Sequence, residues 1–218
     1  MRLFLGKEYE NLLLVDFICH GVPSEKVWHK YLNAVSKGSK VSSVSFRDKQ
    51  DGWKNYSVKI KSEAGEYKSL FSNDPYMRLF LSDNILRPSC YSCPAKGNNR
   101  LADITIADAW GMDENNPLDS NNRGLSLIFV RTPRGDAAIN NISDAVKMCA
   151  ADYNKAVANN PSAVKRVPVP PTRQKCMDAI LSDENADFVK IAEKYAFHKS
   201  TAQKAKSLLK RAVRKIIK

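Results

Sequence analysis

The 218 residues carry 35 Lys and Arg against 23 Asp and Glu, a formal net charge of +12. A chain of this length buries a full core and suits about one domain, or one and a half. No apolar run approaches the roughly 20 residues needed to cross a bilayer, and the start of the chain has no signal-peptide pattern, so a soluble, cytoplasmic protein is expected. Nine of the positive charges fall in residues 194–218, where there is no acid, which leaves a formal +3 for everything else. Charge confined to a tail disfavours nucleic acid and points to a docking or surface-contacting helix. The five cysteines are an odd number. In a reducing compartment such thiols serve as ligands, nucleophiles or core residues rather than as disulfides.

Residues 1–10 read as the end of a helix entering a turn. Residues 12–18 form a continuous apolar run of strand length, the pattern of a strand covered on both faces. The run stops at Cys19, His20 and Gly21, so a thiol sits at the carboxyl end of a strand, where open α/β sheets place their ligands. Ser24 can cap the next helix, in which Val27, Trp28, Tyr31, Leu32 and Val35 recur at helical spacing. Alternating runs at 41–47, 56–61 and 66–71, separated by turn signals, make an antiparallel meander with one wet face. Asp74 and Pro75 are an N-cap and first-turn pair for a short helix.

Residues 87–111 follow and hold the densest chemistry. Cys90 and Cys93 have the C-x-x-C spacing, which offers two sulfurs to one metal or cluster from a single turn. Pro88 and Pro94 bracket them and disfavour a helix through the loop. Residues 101–111 read as a buried strand whose end carries two carboxylates, Asp103 and Asp108, beside Trp110. A polar loop at 112–123 has little of its own to hold it. Residues 124–130 form another strand, and an amphipathic helix runs from 132 to about 147. The Pro-rich stretch 158–171 is the one expected boundary, between a core domain at 1–157 and a helical basic tail at 172–218.

Alternatives stand beside each site reading. C-x-x-C also suits a zinc half-site or a redox pair, and three thiolates plus His20 would make a tetrahedral zinc site. His20 alone reads as a hydrogen-bonded histidine at a strand end. Cys149 and Cys176 fall on expected helices among apolar neighbours, as core residues do. Asp103 and Asp108 can orient ligands or steer a cofactor; equally, they can cap loops or pair with Arg87, Arg100 or Arg123. Arg47, Lys49 and Lys54 with Trp53 can hold an anionic cofactor through a guanidinium fork and an indole face, or form a solvated hairpin tip. Leu208, Leu209, Ala212, Val213, Ile216 and Ile217 make an apolar stripe within a basic helix. Such a helix can lie on an anionic membrane surface, dock to an acidic partner, or pack on its own domain. No Ser or Cys nucleophile is paired with a base, which disfavours hydrolysis.

The ordered blocks Asp16-Phe17-Ile18-Cys19-His20-Gly21-Val22-Pro23-Ser24, Phe46-Arg47-Asp48-Lys49 with Gly52-Trp53, Arg87-Pro88-Ser89-Cys90-Tyr91-Ser92-Cys93, Ala102-Asp103-Ile104-Thr105, Asp108-Ala109-Trp110-Gly111 and Gly124-Leu125-Ser126 carry a resemblance. Together they resemble the family formed by the C-terminal domain of the coenzyme F-420 hydrogenase/dehydrogenase beta subunit. The resemblance covers about residues 12–135. It implies an α/β fold with a central mixed sheet, an antiparallel meander, flanking helices and a C-terminal helical extension. It implies an iron–sulfur flavoprotein passing electrons between a 4Fe–4S cluster, FAD and coenzyme F-420, with a redox partner protein or ferredoxin-like domain. Cys19, Cys90 and Cys93 fall on cluster-ligand positions, and Arg47, Trp53, Asp103 and Asp108 are the cofactor-binding candidates. The Gly-Thr-Pro-Cys-Gln block and flavin-associated region of relatives are not in this sequence, so the chain is expected to be the C-terminal portion of such an oxidoreductase and inactive alone. A truncated, non-catalytic module that docks a partner or binds zinc is the competing expectation.

Overall fold

A computed structural model of the chain describes residues 2–7, 9–97, 100–112, 116–119 and 121–197. In chain order the elements are α1 (Arg2–Leu5), β1 (Val15–Phe17), α2 (Glu25–Ser36), β2 (Val41–Asp48), β3 (Ser57–Ser62), β4 (Gly65–Leu70), α3 (Pro75–Leu81), α4 (Pro88–Tyr91), β5 (Ile104–Asp108), β6 (Ser126–Val130), α5 (Pro133–Asn140), α6 (Tyr153–Asn159), α7 (Arg173–Leu181) and α8 (Phe188–Tyr195). The class is α/β: β1, β5 and β6 form a mixed sheet, and β2, β3 and β4 form the antiparallel meander expected from their alternation. Two compact units interleave along the sequence. One comprises Met1–Val22, Ser45–Ser57 and Arg87–Pro168; the other comprises Pro23–Val44, Val58–Leu86 and Val169–Lys218.

The first unit is built on the mixed sheet. β1 runs parallel to β5, with Val15 opposite Ile104 and Phe17 opposite Ile106. β6 lies antiparallel on the other side of β5, with Ile106 opposite Ile128. Side chains alternate across a pleated strand, so one face carries Leu127. That face meets Ala109 and Ala156 in a small core fringed by Ala107, Met112, Leu125 and Phe129. The other face carries Val15 and Phe17, which are 53% and 63% exposed. This corrects the expectation of a strand covered on both faces. β1 is a three-residue edge strand, and an apolar run alone does not say which face finds a cover.

One carboxylate ties this sheet together. Asp103, 1% exposed, accepts the Leu14 backbone N–H at 2.8 Å and the Thr132 hydroxyl at 2.7 Å, one on each oxygen. Thr132 in turn caps α5 by accepting the Gly135 N–H. A Cβ on Gly135 would lie 2.4 Å from the Asp103 carbonyl oxygen, so α5 approaches this closely only with glycine there. The lead-in to β1, the start of β5 and the start of α5 thus meet at Asp103.

The second unit has a comparable centre in Asp74, which is fully buried. Its carboxylate caps α3 through the Met77 N–H, and Pro75 fills the first helical position, as the sequence indicates. The same carboxylate accepts the hydroxyls of Tyr31 and Tyr67. Tyr31 stacks on Tyr76 at 4.9 Å and meets the edge of Phe188 from α8 at 5.7 Å. The Lys30 ammonium donates to the carbonyls of Ile180 and Leu181, where a helix end leaves acceptors unpaired.

Several local expectations change. Ser24 occupies the N-cap position of α2 but makes no side-chain cap hydrogen bond. A short helix, α4, passes through the cysteine loop, because Pro88 stands at its first position, the one place where proline suits a helix. The helix after Thr132 stops at Asn140, so Cys149 is exposed rather than core, whereas Cys176 is buried. The tail stripe from Leu208 to Ile217 lies outside the described residues. Among the described residues no helix is long and apolar enough to cross a membrane.

Asp74→Ala removes a cap and strands the buried Tyr31 and half-buried Tyr67 phenols, and should cost about 3 kcal/mol or more in urea unfolding, against about 1 kcal/mol for Tyr67→Phe. Alkaline pH should also weaken this unit. Burial pushes the Cys176 thiol from 9.0 up to about 12, against the opposing pull of Arg173. Burial and then the Asp74 charge push the Tyr67 phenol from 10.0 to about 12. Both groups hold their protons more tightly when folded, so the stability they lend is complete below about pH 9 and is lost as pH rises toward 12. Urea midpoints across that window should fall, and Tyr67→Phe should flatten the fall.

Candidate functional site

The candidate site follows from the parallel pairing. β1 and β5 end on the same edge of the sheet, and the Ile18 N–H donates to the Ile106 carbonyl, one residue past β1. Cys19 lies two residues past the end of β1, and Asp108 is the last residue of β5, so both belong to the carboxyl ends of this parallel pair. Open α/β sheets bind ligands at this edge, beyond the carboxyl ends of parallel strands.

The thiol side is held by backbone contacts. Beyond Cys19 the Val22 carbonyl accepts the Arg87 N–H at 2.9 Å, and the Val22 N–H donates to the Cys90 sulfur at 3.2 Å. The Lys96 ammonium donates to the His20 carbonyl at 2.8 Å. The segment after β1 is therefore laced to the C-x-x-C loop. Cys90 is buried, while Cys19 and Cys93 are half-buried. Arg166 closes the far side by donating to the Cys93 carbonyl at 3.0 Å. The Arg100 guanidinium, 5% exposed, pairs with Asp16 of β1 at 2.8 Å.

The aromatic side is a stack. Trp53 is buried between loops, with Trp110 stacked on it at 4.9 Å and Tyr56 at 5.9 Å. The Arg47 guanidinium lies 4.9 Å from the centre of the Trp53 ring and forms a two-pronged pair with Asp108 at 2.9 and 3.1 Å. Lys49 stands 4.8 Å from the same ring and donates to the Arg123 carbonyl. Burial pushes the Tyr56 phenol up, Arg47 pulls it down, and Asp108 pushes it up. Asn160, from the Pro-rich stretch, donates to the Asp108 carbonyl at 3.2 Å. Burying an indole of roughly 200 Å² is worth about 5 kcal/mol, whereas a half-exposed ion pair contributes about 1 kcal/mol or less. Trp53 sets the stability of the stack, and the ion pair sets its direction.

The candidate residues thus separate into three groups. Arg47, Trp53 and Asp108 come together, as do Cys90 and the segment carrying Cys19. Asp103 is engaged on both oxygens within the framework of the sheet. The arginines expected beside the acids are distributed otherwise, Arg100 to Asp16 and Arg47 to Asp108. Lys96, Asn160 and Arg166 emerge only from the fold, since their partners lie 50 or more residues away; Tyr56 joins the stack beside Trp53, and Trp110, placed by the sequence next to the strand acids, finds Trp53 as its partner. An N–H donated to Cys90 suits a thiolate ligand. Even so, among the described residues no three His, Cys, Asp or Glu side chains gather as a metal site. These thiols alone do not make a closed cluster or zinc site.

Comparison with known proteins gives one match. The family described as the C terminus of the coenzyme F420 hydrogenase/dehydrogenase beta subunit matches residues 3–156. No curated protein and no solved structure matches the chain.

Gly124 has φ +85°, and a Cβ there would lie 2.8 Å from the Trp53 ring. Gly124→Ala should therefore expel Trp53, cost more than about 2 kcal/mol, and red-shift the tryptophan emission. Arg47→Met should cost less than about 1 kcal/mol and leave the emission near wild type. The reverse order would mean that the ion pair, not the stack, holds the loops.

Proposed function

We propose, from the premise that the chain belongs to the family of C-terminal domains of the coenzyme F420 hydrogenase/dehydrogenase beta subunit, that it serves in electron transfer as part of an oxidoreductase. The supporting observation is the shared carboxyl edge of β1 and β5, with thiols on one side and a stacked indole pair on the other.

In this reading Cys19, Cys90 and Cys93 contribute thiolates to a metal centre, a 4Fe–4S cluster in the favoured case and zinc in the alternative. The ligand set is completed by groups beyond those described. A cluster held there would supply one-electron chemistry. The chain's own part is to fix the thiols, through the Val22 N–H on Cys90 and through Lys96 and Arg166 on the flanking carbonyls. Arg47, Trp53 and Asp108 form the cofactor side, where FAD or a related planar group would meet the Arg47 guanidinium and the half-exposed Trp110 indole that the buried Trp53 supports. Asp103 acts on this side through the strand it anchors. A partner protein and a cytoplasmic setting complete the proposal.

The full chain prepared without oxygen and supplied with iron and sulfide should be brown, with broad absorbance near about 400 nm and bound iron. Cys90→Ser and Cys93→Ser should each remove most of that iron. Colourless protein holding thiol-dependent zinc would favour the docking-module alternative. Metal content unchanged by both cysteine substitutions would refute the thiol assignment.

A further inference from the structure

Cations crowd the thiol segments, and among the described residues only Arg100 of them meets an acid. Residues 87–102 hold Arg87, Lys96 and Arg100, and residues 153–168 hold Lys155, Lys165 and Arg166; neither stretch has an acid. Arg100 is neutralised by Asp16 and nearly buried, so its role is internal. Lys96 and Arg166 differ. Each donates to a backbone carbonyl, of His20 and of Cys93, and a neutral carbonyl orients a cation without cancelling its charge. Among the described residues neither has an acidic partner. Arg87 and Lys165 stand exposed nearby in sequence. The cations are thus fixed at the thiol loop from two separate stretches of chain.

We propose that this cationic collar is a docking surface for an acidic protein, an electron carrier that presents Asp and Glu around its own redox group. The proposal rests on the thiol edge being a redox site. Complementary charge raises encounter rates and fixes orientation more than it raises affinity. A carrier must bring its redox group to the thiols, and the charges lie where that contact is needed. A nucleic acid would instead call for cations strung along a stripe with aromatic platforms for bases. Here the cations centre on one loop. Lys96 and Arg166 are the orienting contacts, and Arg87 and Lys165 extend the field.

The test uses the full chain and an acidic plant-type ferredoxin as probe, with the dissociation constant measured at low and high salt. Lys96→Glu with Arg166→Glu should weaken binding at least about tenfold at low salt, and the difference should shrink once the screening length falls to about 3 Å near 1 M salt. Lys96→Gln with Arg166→Gln should give a smaller loss in the same direction while preserving the melting temperature. Lys26→Glu with Lys175→Glu makes the same charge change on exposed positions of α2 and α7 and should alter binding less than about twofold. An equal loss in that control, no measurable ferredoxin binding, or displacement of ferredoxin by duplex DNA with the same dependence on Lys96 and Arg166 would each overturn the proposal. Metal is assayed in the same samples. Ferredoxin binding without metal would count against the thiol centre alone, and metal without ferredoxin binding against the collar alone.

Discussion

The parallel pairing of β1 with β5 is the constraint on which the candidate site depends. Two strands that are 89 residues apart at the Leu14–Asp103 contact end side by side, and everything of chemical interest in the first unit hangs from those ends. The pairing is pinned at its opposite, amino end by Asp103. A buried carboxylate is costly unless its oxygens are satisfied, and here a backbone amide and a capping threonine satisfy them. The carboxylate that looked like part of the site instead fixes the register that creates it. A one-residue slip between β1 and β5 would turn every side chain of β1 to the other face and change where the segment carrying Cys19 leaves the sheet.

From that pairing the site divides by chemistry. The thiol side is organised by hydrogen bonds that join backbone groups to the side chains of Cys90, Lys96 and Arg166. The aromatic side is organised by stacking, with Trp53 buried and Trp110 38% exposed above it. The Pro-rich stretch touches both: Asn160 reaches the Asp108 carbonyl and Arg166 the Cys93 carbonyl. A segment that reads as a linker therefore acts as a strap within its own unit. Proline favours extended backbone without requiring that the segment be free.

Much of this is legible in the sequence wherever the controlling interaction is local. Asp74-Pro75 specifies a helix start within four residues, and the alternation of the meander specifies its strands. The thiol spacing and the strand-end position of Cys19 flag an edge site on their own. What stays hidden is non-local. Nothing in the order of residues says that Asp103 binds Thr132, that Arg47 chooses Asp108, or that Gly124 exists to admit an indole from residue 53. Burial misleads for a related reason: residues 12–18 are apolar enough for a doubly covered strand, yet β1 is an edge with one face open. Cys149 shows the limit of periodicity, because the helix carrying it in the sequence pattern ends at Asn140. Family membership favours the oxidoreductase context among the readings that the thiol spacing leaves open.

The claim underlying all of this is that Cys19 and the C-x-x-C loop face one another across a single edge. A bifunctional thiol reagent of short reach, such as dibromobimane, tests it directly in the full chain with Cys149 and Cys176 replaced by serine. Peptide mapping should recover Cys19 bridged to Cys90 or Cys93. Recovery of Cys19 only as a singly modified thiol, with Cys90 bridged to Cys93, would contradict it.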